Sequence, residues 1–278
     1  MNNKKKVRVG KILLYVVLSL GAITMILPFT WTILSSLKNM GQTFASPPKI
    51  LPDPIVWENY PDSLATLPFG RAYFNSFYIA FVVVVIQLLT ATMAGYAFAK
   101  LKFHGSNFVF ILFLATMMIP SQVTMIPLFI IMKYLGLLGT HLSLILPAGL
   151  FNAFGVFLMR QFIAGIPNEL EEAAVIDGAT VPQIFFRIII QLVKPSMAAF
   201  GIFVFLGQWN NFLYPLIFLN KTETFTVPLL LNFFKGTYAT NYPLLMAGTV
   251  ISILPVLIVY MFFQKQIIQG IAITGMKN

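Results

Sequence analysis

Four of the eight acidic residues in this 278-residue chain, Glu169, Glu171, Glu172 and Asp177, stand together in one short stretch. Carboxylates so spaced can move a proton to or from a substrate, or accept charge-assisted hydrogen bonds from Arg or Lys on a partner. The first use needs companions that are missing. No H-E-x-x-H pattern or Gly-x-Ser-x-Gly elbow occurs, and the absence of cysteine excludes disulfides, thiolate metal sites and thiol nucleophiles. No G-x-x-x-x-G-K-[ST] phosphate loop is present either, so an ATPase of that class is excluded. The acids read as a recognition surface, with no catalytic or metal site predicted.

The local sequence says how they are held. Asn168 is placed to cap a helix, with Glu171 three residues on to complete a capping box. Glu169, Glu171 and Glu172 then sit in the first turn, where the positive end of the helix dipole favours them. Leu170, Ala173 and Ala174 share a face at i, i+3, i+4 spacing. Gly178 ends this helix in a left-handed turn, and Thr180 caps a second helix with Pro182 in its first turn. The expected element is helix, glycine turn, helix, lying at a membrane surface, with Ala173, Ala174 and Ala179 letting another protein approach closely.

The membrane follows from composition. Hydrophobic residues make up 58% of the chain and charged residues only 9%, against about 25% charged in an ordinary soluble domain. That much apolar surface needs hydrocarbon as a solvent. Charge-free stretches run from Ile12 to Leu37, Ala72 to Ala99, Phe103 to Met132, Tyr134 to Met159, Pro195 to Asn220 and Gly236 to Gln264. Each exceeds the roughly 20 residues that cross a bilayer core. The fold class is therefore an all-α membrane protein with six transmembrane helices. One transmembrane domain, 1–278, is expected: a first helix at about 12–37, core helices over about 72–264, a polar loop at about 160–194 and a tail at 265–278. The first span follows Lys4, Lys5, Lys6 and Arg8 but is too long for a signal-peptide core, and it reads as an uncleaved anchor.

Cation asymmetry orients the spans. With the N-terminus cytoplasmic, twelve of the eighteen Lys and Arg residues lie inside, which places both termini and the acidic loop in the cytoplasm. The net charge of +10 is then topology and not a nucleic-acid signal. No Asp, Glu, Lys or Arg falls within the six windows, and His104 and His141 lie near span edges rather than at span centres. Ion-coupled carriers place such groups at depth, so energy must come from a partner. Two other classes stay open on the residues: an ion-coupled secondary transporter using backbone carbonyls, and a membrane glycosyl- or lipid-transferase.

Glu172-Ala173-Ala174, then Gly178, then Ile188, Ile190 and Pro195 resemble the E-A-A loop of type I ABC importer permeases. The family pattern is E-A-A, three residues, G, nine residues, then I-x-L-P; here Ile190 replaces the leucine and Gln191 the first proline. Further stretches are similar to carbohydrate-uptake permeases of the maltose-transporter type: Asn75-Ser76, Ala94-Gly95-Tyr96-Ala97-Phe98-Ala99, Met118-Ile119-Pro120, Gln208-Trp209-Asn210-Asn211-Phe212 and the tail from Gln269 to Lys277. The resemblance implies the MetI-like architecture of that family, in a prokaryotic plasma membrane. It implies a second homologous permease subunit, two ATPase subunits that use ATP and Mg, and an extracytoplasmic sugar-binding protein. This chain would bind no cofactor itself. Coupling to the ATPase would fall to Glu171, Glu172, Ala173, Ala174, Asp177, Gly178 and Ala179, with tail contacts from Gly270, Gly275 and Lys277.

A sugar path needs aromatic faces and uncharged hydrogen-bonding groups. Gln122, Asn152, Gln208, Trp209, Asn210, Asn211 and Tyr214 supply them within or near spans; interhelical bonds would use the same residues. The expected function is half of a translocation pathway for a sugar or oligosaccharide. A permease for glycerol-3-phosphate or another polar solute is the alternative within the family.

Overall fold

The structure, a computed structural model, describes residues 2–235 and 240–275, with side chains over 11–235 and 240–264. Its helices in chain order are α1 (Asn2–Ser36), α2 (Met40–Thr43), α3 (Asn59–Thr66), α4 (Phe69–Lys100), α5 (Ser106–Ala115), α6 (Ser121–Tyr134), α7 (Leu142–Leu150), α8 (Ala153–Ala164), α9 (Glu169–Ile176), α10 (Val181–Ile184), α11 (Ile190–Trp209), α12 (Leu213–Phe218), α13 (Val227–Leu231) and α14 (Tyr242–Gly275). Two compact units divide them: Met1–Pro68 with Leu231–Leu254, and Phe69–Leu230 with Pro255–Asn278.

Among the described residues, five stretches are long and apolar enough to span a bilayer: Lys11–Ser36, Phe69–Lys100, Leu142–Ala164, Val181–Trp209 and Tyr242–Gln264. A sixth crossing, expected as one span from Phe103 to Met132, is instead two helical pieces, Ser106–Met118 and Ser121–Tyr134, bent by 100°. Pro120 stands at the break with extended backbone, φ −58° and ψ 134°. Proline at that point denies the ladder an N–H and drives its neighbour out of the helix.

In the first unit, the segment after α1 is folded back and tied. Lys38 is almost fully buried, donating to the Lys49 carbonyl at 2.6 Å, with its ammonium 4.4 Å from the Trp31 ring centroid. The Asn59 amide donates to the carbonyls of Ser36 and Lys38, and Gln42 reaches the Pro54 carbonyl.

The second unit is built on α4, which packs along α7, α8 and α11. Val83, Ala80, Met159, Ile163, Ile189 and Phe200 are buried between them. Phe74, Phe77, Phe81, Val85, Leu89 and Met93 on α4 are exposed, the inverted pattern of a helix that meets lipid on one side. Close approach depends on small residues: a Cβ on Gly155 would lie 2.2 Å from the Phe200 ring. At the start of α4, Asn75 donates to the carbonyls of Glu223 and Phe225, and Ser76 accepts from the Val227 N–H.

Candidate functional site

The acidic stretch folds as α9, closed at Gly178 in the left-handed region with φ +81°. A residue with a Cβ resists that conformation, so the turn follows from the glycine. Two expectations change. Asn168 has helical backbone, φ −69° and ψ −25°, and caps nothing with its side chain; a capping residue needs the extended region. Its Oδ1 instead accepts from Lys100 Nζ at 2.6 Å. Glu171, expected to close the capping box, turns toward α4: Tyr96 OH donates to its Oε2 at 3.0 Å, and Lys100 Nζ lies 3.3 Å from its Oε1.

The second helix also differs from the surface element expected. The Thr180 N–H and hydroxyl both donate to Gln183 Oε1, at 2.8 and 3.1 Å, which marks the start of α10. From there the helix continues through a π-turn, Phe185–Ile189, directly into α11. Arg187 and Lys194 therefore lie within the continuous helical stretch Val181–Trp209 and not in a loop. π-turns inside α-helices often sit at functional sites.

Of the expected coupling residues, Glu172, Ala173, Asp177 and Gly178 are exposed, Ala179 is partly so, and Ala174 is buried against its own chain. Val175 and Ile176, at 60% and 85% exposure, complete a mixed acidic and apolar patch. Sequence reasoning passed over these two, although two large apolar side chains between Ala174 and Asp177 are the signal. A cavity of about 870 Å³ opens beside this element, lined by the connection from Phe98 to Phe108 together with Asn168, Glu171 and Glu172. The tail residue Lys277 lies outside the described residues, and for Gly270 and Gly275 only the helical backbone is described.

A second cavity, about 540 Å³, lies among α6, α7, α11 and α12. Gln208, Asn211 and Tyr214 line it, joined by Thr116, Ser121, Thr124 and Ser143, lone hydroxyls that carry no pattern in an apolar sequence. Among the described residues, no Lys, Arg, Asp or Glu lines it. The other expected pathway residues lie elsewhere. Trp209 is buried against Ala80 and Phe205. Asn210 ends α11, its amide donating to the Leu206 carbonyl. Gln122 is exposed at the start of α6. Asn152 sits at the mid-span break between α7 and α8: its Oδ1 accepts from the Gly155 N–H at 2.7 Å, and its Nδ2 donates to Gln87 Oε1 at 2.6 Å. Gln87 in turn donates to the Ala148 carbonyl. Broken-helix polar groups are thus satisfied within the protein, as hydrocarbon requires.

Comparison with known proteins gives these features a context. Residues 87–273 match the family described as binding-protein-dependent transport system inner membrane component. The chain is 44% identical over 204 residues to the arabinooligosaccharides transport system permease of Halalkalibacterium halodurans, covering 73% of each chain. It is 34% identical over 263 residues to the lactose transport system permease of Rhizobium radiobacter, covering 95% of each. Its fold superimposes with a TM-score of 0.82 and 26% identity on a chain of a bacterial ABC transporter involved in the import of the acidic polysaccharide alginate, over 93% of this chain and 96% of that one. The family match spans most of the chain, the two sequence relatives are permeases, and the fold agrees. The chain therefore belongs to the binding-protein-dependent transport system inner membrane components, as a multi-pass ABC importer permease subunit and not an enzyme.

Proposed function

We propose that this chain forms half of the translocation pathway for an oligosaccharide and receives the stroke of a separate ATPase on α9. The observation that carries the reading is the division of α9's side chains. Glu171 is engaged inside the chain, while Glu172, Ala173, Val175, Ile176 and Asp177 stand exposed. An acid-tipped patch with an apolar floor suits a cleft that offers Arg or Lys. ATP and Mg belong to that ATPase; this chain supplies the docking helix. A second permease subunit completes the pathway, and an extracytoplasmic binding protein delivers the solute. The site lies in a prokaryotic plasma membrane, with both termini cytoplasmic and the tail from Gly270 through Gly275 to Lys277 as a further ATPase contact.

The uncharged lining of the 540 Å³ cavity supports a hydroxyl-rich neutral solute over glycerol-3-phosphate, whose phosphate would call for a cation. Names of the relatives point the same way, toward arabinooligosaccharides and lactose.

The test is co-expression with the neighbouring permease, ATPase and binding-protein genes, followed by purification through a tag on this chain. The ATPase is expected to co-purify and to be lost with Glu172→Lys, which turns an attractive contact into a repulsive one. An ATPase that never associates, or that ignores the reversed charge, removes α9 from the coupling role.

A further inference from the structure

The sequence from Ala94 to Lys100, at the end of α4, has no role in the reading above beyond resemblance. Two of its side chains, Tyr96 and Lys100, lie one helical turn apart on the same face. They contact residues on both sides of the exposed patch of α9. Lys100 Nζ donates to the Ile166 carbonyl and to Asn168 Oδ1, both at 2.6 Å, and faces the Glu171 carboxylate at 3.3 Å. Tyr96 is buried, donates to the other oxygen of Glu171, and packs its ring against Phe185 at 5.5 Å between centroids, tilted by 47°. Phe185 belongs to the far side of the Gly178 turn, where the π-turn begins. The segment before α9, α9 itself and the helix after it thus converge on one face of α4.

The same helix carries Gln87, nine residues earlier and about 14 Å along the axis. Gln87 holds the Ala148 carbonyl and Asn152 at the break between α7 and α8. Ala148 and its neighbours Pro147, Leu144 and Ser143 form one wall of the 540 Å³ cavity. Both ends of this path are held by side-chain polar contacts from a single continuous helix.

We propose that Tyr96 and Lys100 are positioning residues that lock the coupling element to α4, so that displacement of α9 moves α4 and, through Gln87, the α7 wall of the cavity. The inference rests on the reading of α9 as the ATPase docking helix. Neither residue touches the ATPase; both act through Glu171 and Asn168. Removing Lys100 leaves docking intact and lets α9 move without carrying α4.

The experiment uses the whole complex in proteoliposomes, with Thr124→Cys as the sole thiol of this chain. Thr124 is exposed and lines the cavity, and the chain has no cysteine of its own. The probe is a membrane-impermeant maleimide, and the readout is the change in labelling rate of the introduced thiol when ATP and vanadate trap the ATPase. That change is expected with Lys100 intact, to fall about tenfold in Lys100→Met, the scale of losing a charged hydrogen bond, and to return in Lys100→Arg. Tyr96→Phe keeps the ring against Phe185, loses only the hydroxyl bond, and should give an intermediate loss. It serves as the folded control should Lys100→Met fail to fold or to reach the membrane.

Three results overturn the proposal: ATP-driven change in Lys100→Met and Tyr96→Phe equal to that of the parent, no ATP-driven change in the parent, or loss of ATPase co-purification in Lys100→Met, which would make Lys100 a docking residue. Failure of the underlying reading shows separately, as an ATPase that stays attached in Glu172→Lys.

Discussion

Gly95 of α4 meets Met159 of α8 with no room for a methyl group: a Cβ at position 95 would lie 2.7 Å from Met159 Cβ and 2.8 Å from the Arg160 backbone nitrogen. The close approach has consequences for the same helix end. Arg160 Nε donates to the Phe98 carbonyl at 3.3 Å, and its guanidinium lies 4.2 Å from the Phe110 ring centroid. Gly95→Ala must therefore push α8 away from α4, since backbone cannot yield as a side-chain tip does. A loss of about 1–3 kcal/mol follows from such overpacking, to be read as a lower thermal-unfolding midpoint in detergent. An unchanged midpoint would mean that the two helices have slack at this crossing.

Asn152 is a candidate for the solute path, and its bonds assign it a second duty. Asn152→Ala removes a helix cap worth about 1 kcal/mol and leaves Gln87 Oε1 without its donor, at about 1–3 kcal/mol more. Asn152→Ser keeps a hydroxyl able to cap the Gly155 N–H, adds no charge and loses the amide donor to Gln87. Thermal stability should fall in the order wild type, Ser, Ala, with the concentration dependence of uptake little altered. The reverse pattern, intact stability with uptake lost, would return Asn152 to the pathway.

How far the sequence anticipates this structure depends on what kind of signal each feature leaves. Lys and Arg spacing locates the spans because burying a charge in hydrocarbon is costly whatever the tertiary fold. The same signal is blind to geometry. It cannot register the 100° bend at Pro120, nor that Val181 begins a helix running to Trp209 through Arg187 and Lys194. Gly178 and Thr180 are legible because turns and caps are local chemistry. Asn168 and Glu171 mislead for the same reason: their local role loses to Tyr96 and Lys100, which lie some 70 positions away in sequence. The cavity's Thr116, Ser121, Thr124 and Ser143 leave no trace at all, since a hydroxyl in a span can always bond its own helix backbone.

Lys38 gives the segment after α1 a pH dependence of known sign. Burial holds its pKa below a lysine's ordinary 10.5. Between that lowered value and 10.5 the unfolded chain carries more protons than the folded one, so stability rises with pH in this alkaline window. Below the window both states are protonated and the burial penalty is constant. Lys38→Met abolishes the difference. Comparing unfolding midpoints of the two proteins from about pH 8 to about pH 10, the wild type should gain on the variant. Parallel curves would show that Lys38 titrates as freely folded as unfolded.

Gly178 separates backbone strain from steric contact at the turn after α9. Its φ is +81°, yet nothing lies within 4 Å of a Cβ built there. Any penalty of substitution is therefore conformational, about 1–2 kcal/mol for an ordinary L-residue in the left-handed region. Asparagine enters that region more readily than alanine. If α9 must be held at this angle to enter the ATPase, affinity between the purified permease pair and the ATPase should fall up to about tenfold in Gly178→Ala and less in Gly178→Asn. Equal losses would point to side-chain exclusion by the ATPase itself at this position. No loss in either would show that the angle set by Gly178 is irrelevant to docking.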